Sequence, residues 1–195
     1  MSPSFAWRFS RGRRGLNGLP AVTVVKTGRL ALRRLDDGDA PFILNLLNQP
    51  SFLEYIGDKG VRNLDQAREY ILTGPVASYE KHGYGLYLVE LEDGTPIGMC
   101  GLVRRDSLEH ADIGYSFLPE HWSKGYALEA AAGVLRYARH TLGLGKILAI
   151  VSPGNGSSIR LLEKLGFRFE REQFMKGDNE DLVRVYGLPD GDGRQ

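Results

Sequence analysis

Between Gly125 and Leu142 the apolar residues Leu128, Ala131, Ala132, Leu135, Ala138 and Leu142 recur at three- and four-residue steps. That spacing predicts a helix, about Gly125 to Thr141, with one side buried. Strand-like segments flank it. Ala111–Leu118 sets Ile113, Tyr115 and Phe117 on one face, and Lys146–Val151 reads as a short buried strand. A helix between two strands is a crossover unit, and its buried side must rest on the sheet that holds both.

The rest of the chain fills in around that unit. Leu30–Leu35 reads as a short strand, and Asp39 caps a helix that runs to about Asn48 and ends at Pro50. Asn63 followed by Gln66 resembles a capping box, which opens a second helix through Leu64, Ala67 and Ile71 until Gly74-Pro75 weakens or breaks it. Tyr84–Leu91 and Pro96–Arg104 form a hairpin with Asp93-Gly94 at the turn. After the crossover, Asn155–Leu165 is a helix closed by Gly166. Phe167–Gln173 and Asp181–Leu188 form a last hairpin around Lys176–Asn179. The order β-α-α-β-β-β-α-β-α-β-β implies an α/β (α+β mixed) fold, a central mixed sheet with helices on both faces.

Composition narrows the function classes. One cysteine, Cys100, excludes an internal disulfide and a cysteine metal cluster, and it fits a reducing, cytoplasmic setting. Cys100 itself reads as a small core residue. His82 and His140 have no metal spacing, so no metal site is expected. No apolar run is long enough to span a bilayer, so no membrane partner is expected. Charge is uneven. Residues 1–29 carry Arg8, Arg11, Arg13, Arg14, Lys26 and Arg29 with no acid, which is +6, so the formal total of +1 leaves −5 for the remainder. Residues 1–27 read as a basic, flexible extension. Contact of that arm with nucleic acid or a ribosome is the less favoured reading.

Two segments carry chemistry. In Leu118-Pro-Glu-His-Trp-Ser-Lys-Gly-Tyr-Ala127 a strand turns into the long helix. The first turn of a helix has free N–H groups and the positive end of the dipole, and small residues let a pyrophosphate come close. Gly125 and Ala127 are small, while Ser123 and Lys124 add a hydroxyl and a positive charge. The plainer reading is an ordinary turn in which glycine relieves strain. The second segment is Ser152-Pro-Gly-Asn155-Gly-Ser-Ser158, where Asn155 caps the next helix and Ser158 sits at the capping-partner distance.

Together, Phe117-Leu-Pro-Glu-His-Trp122-Ser-Lys-Gly125-Tyr-Ala127, then Glu129-Ala130, then Asn155-Gly-Ser-Ser158 and Glu163-Lys-Leu-Gly-Phe167 resemble the GNAT acetyltransferase superfamily over roughly residues 28–188. The likeness is closest to the Rim-type branch that acetylates ribosomal-protein N-termini, which favours tryptophan where Trp122 stands. Ser123 departs from the glycine usual there.

The resemblance implies a mostly antiparallel sheet with one splayed parallel pair, Ala111–Leu118 and Lys146–Val151. It implies acetyl-CoA as cosubstrate and an amine acceptor. The pantetheine arm would pair with the strand edge near Phe117 and Leu118. The pyrophosphate would meet the amides of Ser123, Lys124, Gly125, Tyr126 and Ala127 beside Trp122, and Asn155 would hydrogen-bond the pantetheine or order the site. Ser158 matches the position of the proton donor, with a helix cap as its equal alternative. Tyr126 reads as packing. The general base stays open among Glu54, Glu109, His110, Asp112 and Glu120. Residues 189–195 read as a frayed tail, and monomer or homodimer are both open. The competing reading is a non-catalytic acyl-CoA-binding or ribosome-docking module. A nucleotide-binding domain of another class is weakened by the absence of Gly-x-Gly-x-x-Gly after the first strand.

Overall fold

A computed structural model describes residues 22–175 and 181–189 of the chain. The hairpin apex 176–180 and all but the first residue of the expected tail lie outside the described residues. So does most of the basic arm, but not all. Thr23–Lys26 forms a strand, β1, antiparallel to Leu30–Arg33, β2, through a turn in which the Thr27 amide donates to the Leu30 carbonyl at 2.9 Å. The ordered sheet thus begins inside the segment expected to be an extension. Thr23, Val24 and Val25 are β-branched and suit a pleated edge.

Proline shapes two helices, one of them differently from expectation. The Pro50 that was expected to end the first helix, α1 (Ala40–Leu47), instead opens a short second one, α2 (Pro50–Tyr55), because proline is tolerated where no N–H is required. Helix α3 (Leu64–Ile71) is capped by Asn63, whose side chain accepts from the Gln66 amide. It does not break at Gly74-Pro75. Leu72–Val76 widens into a π turn around the missing proline N–H, and the chain continues as α4 (Ala77–His82) to Gly83.

The expected hairpin forms from β3 (Leu86–Leu91) and β4 (Pro96–Val103), followed by β5 (Asp112–Phe117). The long helix is α5 (Tyr126–His140), and β6 (Ile147–Val151) and α6 (Gly156–Lys164) complete the crossovers. The last hairpin is β7 (Arg168–Met175) and β8 (Asp181–Leu188). All eight strands make one sheet in the order β1-β2-β3-β4-β5-β6-β8-β7. Every pairing is antiparallel except β5 with β6.

Apolar side chains cover both faces. On one, Ala130, Ala131, Val134 and Ala138 of α5 and Leu162 of α6 pack on Ile113, Phe117, Ile147 and Ala149. On the other, Ile43, Leu46, Ala67 and Ile71 of α1 and α3 pack on Leu88, Met99 and Leu118. Cys100 is buried in the first cluster as a core residue. Arg33 is buried beside that architecture. It makes a bidentate pair with Asp39 at 2.8 and 2.7 Å and donates to Glu90 at 2.9 Å. Burial disfavours its charge, but the bonds and charges of Asp39 and Glu90 outweigh that and hold it protonated. No helix among the described residues is long and apolar enough to cross a membrane.

Candidate functional site

Backbone bookkeeping along β5 defines the site. Phe117 faces Gly98 across β4, and the Leu118 amide donates to the Ile97 carbonyl at 3.0 Å. Even-numbered residues of β5 therefore turn their amides and carbonyls to β4, and in an antiparallel ladder the odd-numbered ones turn away. Ile113, Tyr115 and Phe117 thus address β6. The Leu148 amide takes the carbonyl of Ala111 at 2.9 Å, and β5 and β6 are in register only at Asp112 and Leu148. Beyond that pair the strands part. β6 is held along its other edge by β8, from Ile147 against Leu188 to Val151 against Arg184. The gap opens toward the C-terminal ends of both strands, where Phe117 leads into the β5–α5 loop and Val151 into the α6 loop. This is the splayed pair that the resemblance implied.

One part of the expected edge is already occupied. Leu118 donates to β4, and the Phe117 carbonyl accepts the Trp122 indole N–H at 2.8 Å. That leaves the Tyr115 amide and carbonyl and the Phe117 amide facing the gap. The open main-chain groups at this end of the edge are thus those of Tyr115 and the Phe117 amide, while those of Leu118 and the Phe117 carbonyl are engaged within the chain.

The loop that follows is shaped by two left-handed residues. Gly125 has φ 81° and precedes the first residue of α5 without a side-chain cap, so the early amides of Tyr126, Ala127 and Leu128 are free of intrahelical partners. Ser123 has φ 59°, the only described non-glycine residue at positive φ. Its departure from glycine therefore falls where glycine has no steric cost and serine has one. Ser123 and Lys124 are exposed, as is Trp122 despite its bond.

Arg29 enters this loop from the β1–β2 turn, and the sequence reading missed it. Its guanidinium donates to the Lys124 carbonyl at 3.0 Å and lies 4.6 Å from the centre of the Tyr126 ring. Glu129, one turn into α5, holds it there. The carboxylate accepts from Thr27 Oγ1 at 2.7 Å, from the Arg29 amide at 2.9 Å and from Arg29 Nε at 2.7 Å. Partial burial raises the Glu129 pKa, but these bonds and the Arg29 charge outweigh it and leave the carboxyl below its usual range. Nothing local in the sequence joins residues a hundred positions apart. Tyr126 packs under Arg29, in keeping with a packing role.

On the other side of the gap, Asn155 caps α6 by accepting from the Ser158 amide at 3.0 Å, and it also accepts from Ser157 Oγ at 2.9 Å. Ser158 Oγ lies 2.7 Å from the Tyr115 hydroxyl. The five base candidates do not converge. Glu109 and His110 line a separate cavity of about 220 Å³ at the N-terminal ends of β5 and β6. Glu120 is exposed in the loop and Glu54 on α2. Asp112 is buried, with Oδ1 at 3.0 Å from Arg105 Nε and Oδ2 without a hydrogen-bond partner. Burial pushes its pKa up to about 6, against the pull of Arg105. No group of three metal-ligating side chains is present among the described residues.

A family model described as acetyltransferase (GNAT) domain matches residues 29–168. The chain belongs to the GNAT acetyltransferase family. It is an acyltransferase by that membership, and the family uses acetyl-CoA and an amine acceptor. Among relatives, the spermidine N(1)-acetyltransferase of Vibrio cholerae is 29% identical over 169 residues, 82% of this chain and 93% of that one. The ribosomal protein uS5-alanine N-acetyltransferase of Escherichia coli is 31% identical over 107 residues, 53% of this chain and 54% of its own. A crystal structure of an acetyltransferase from Agrobacterium tumefaciens superposes with a TM-score of 0.70 at 26% identity, covering 91% of this chain and 99% of that one. The Rim-type likeness is thus shared with a polyamine-type relative, and this GNAT chain resembles both.

Proposed function

We propose that this GNAT protein acetylates a primary amine, on a protein N-terminus or a small molecule, by direct attack of the amine on acetyl-CoA. The observation that carries the reading is the fork between β5 and β6. Acetyl-CoA, when bound, supplies the acetyl thioester. Tyr115 offers its amide and carbonyl, and Phe117 its amide, to an extended amide-bearing chain laid in the gap. An amide there is also a donor for the thioester carbonyl. The α5 amides from Tyr126 onward, the approach allowed by Ser123, Gly125 and Ala127, and the charges of Lys124 and Arg29 suit a pyrophosphate. Trp122 orders the loop that presents them. Asn155 holds Ser158 at the start of α6, and Ser158 Oγ gives its proton to the sulfur as the carbon–sulfur bond breaks. The amine loses one proton as its carbon–nitrogen bond forms, and that proton, passed through water, restores the Ser158 hydroxyl, so protons balance.

The base needs little help when the acceptor is an α-amine. With a pKa of about 8, roughly a tenth of it is neutral at pH 7, while a lysine side chain is almost wholly charged. Acceptor choice is set by α1–α4 and by the β7–β8 hairpin, whose apex lies outside the described residues.

The test is free-thiol release from acetyl-CoA against a panel of N-terminal peptides, polyamines and amino acids, alongside thermal shift with CoA. We expect stabilisation by CoA and turnover with at least one acceptor. Stabilisation with turnover no faster than enzyme-free controls across the panel would favour the acyl-CoA-binding module instead.

A further inference from the structure

Helix α6 turns Ser158 and Leu162 to the same side, one turn apart. Leu162 is fully buried against the sheet. Ser158, on that same side, is partly buried, and its hydroxyl has a protein partner. The partner comes from across the fork. The Tyr115 hydroxyl lies 2.7 Å from Ser158 Oγ and 3.4 Å from the Ser158 carbonyl. Tyr115 belongs to β5, facing Cys100 of β4, while α6 follows β6. The bond therefore joins one arm of the fork to the element that continues the other. Tyr115 is also the residue whose amide and carbonyl face the gap, so a single residue sets both the strand edge and the serine's position.

Donor and acceptor in this pair follow from acidity. Burial pushes the phenol up to about 12. The 2.7 Å distance fits either direction, and the 3.4 Å contact with the carbonyl is long; a phenol is a better donor than an alkyl hydroxyl, which favours Ser158 Oγ as the acceptor. The serine hydrogen is then free to point elsewhere. A hydroxyl that accepts one hydrogen bond is also a stronger donor of the next.

We propose that Tyr115 is the positioning residue for Ser158, fixing its rotamer and turning its hydroxyl hydrogen into the fork toward the leaving sulfur. This rests on Ser158 acting as the proton donor described above. It assigns the phenol no contact with the acetyl group.

Four proteins test it: wild type, Tyr115→Phe, Ser158→Ala and the double variant, each checked for unchanged melting temperature and CoA affinity. Tyr115→Phe keeps the ring and removes only the hydroxyl. We expect kcat to fall about tenfold with KM for acetyl-CoA within about twofold. The double variant should be no slower than Ser158→Ala alone, because the two hydroxyls act as one unit. A second readout needs no turnover. In protein labelled with 3-fluorotyrosine, the Tyr115 fluorine signal, assigned by its loss in Tyr115→Phe, should shift at neutral pH once Ser158 is alanine, because the phenol loses its partner. Wild-type kcat in Tyr115→Phe, with Ser158→Ala slow, would overturn the positioning role and leave the donor standing. Multiplicative losses in the double variant, or a Tyr115 fluorine shift indifferent to Ser158, would overturn it too. Wild-type turnover in Ser158→Ala would remove the donor reading and this inference together.

Discussion

The Trp122 indole N–H donates to the Phe117 carbonyl at 2.8 Å and folds the β5–α5 loop back over the end of its own strand. The ring remains 48% exposed, so it contributes little to the core. Its bond removes one acceptor from the open strand edge and fixes the entry angle of the chain into α5.

Replacing Trp122 with Phe keeps a ring and deletes the donor. Folding stability should change by no more than about 1 kcal/mol, since one partly solvated hydrogen bond is lost. CoA affinity should weaken about fivefold, because the loop must be ordered on binding. Chemical denaturation and calorimetric CoA titration measure the two effects. A large stability loss with unchanged affinity would make Trp122 a packing residue.

Ser123 at φ 59° separates two substitutions. Ser123→Gly should fold at least as well as the parent, as the left-handed conformation has no side-chain penalty in glycine. Ser123→Val should lose about 1–2 kcal/mol, because a β-branched side chain tolerates that conformation poorly. Gly125→Glu should fold and lose CoA binding, as a carboxylate beside the α5 amides repels a pyrophosphate. Equal CoA affinity in a folded Gly125→Glu protein would place the pyrophosphate elsewhere.

Glu129 ties Thr27 and Arg29 to the start of α5. Glu129→Ala should lose about 1–2 kcal/mol from three broken hydrogen bonds to a carboxylate. Because the carboxyl is held below its usual range, its contribution is present above the unfolded-state pKa and is lost as pH falls through the lower folded value. CoA affinity should drop as well, because Arg29 is released from the Lys124 carbonyl. Arg29→Ala should reproduce the affinity loss, which a purely structural Glu129 would not require.

Asp112 reverses that pH dependence. Burial raises its pKa to about 6 in the folded chain, from an ordinary value of 3.8. Its favourable share of stability is therefore full below pH 3.8 and lost as pH rises through about 6. Across that window the stability of the parent relative to Asp112→Asn should fall by about 3 kcal/mol. Urea unfolding of both proteins at several pH values gives the difference. A rise in place of a fall would mean that Arg105 dominates burial.

Sequence periodicity determined the hairpin β3–β4, the crossover β5–α5–β6, the cap at Asn155 and the glycine that precedes α5, because each depends on residues within a turn or a strand length of one another. The loop chemistry from Trp122 to Ala127 was legible for the same reason, and the positive φ of Ser123 shows why glycine is the usual residue at that position. What tertiary structure alone decided involves partners far apart in the chain. The short strand Thr23–Lys26 is stable only because β2 pairs with it, and Arg29 reaches the α5 loop only because Glu129, a hundred residues later, grips it. The meeting of Tyr115 with Ser158 depends on how far β6 is drawn toward β8 and away from β5. Local patterning can specify which segments become strands, but the width of the gap between two of them is set by everything packed around both.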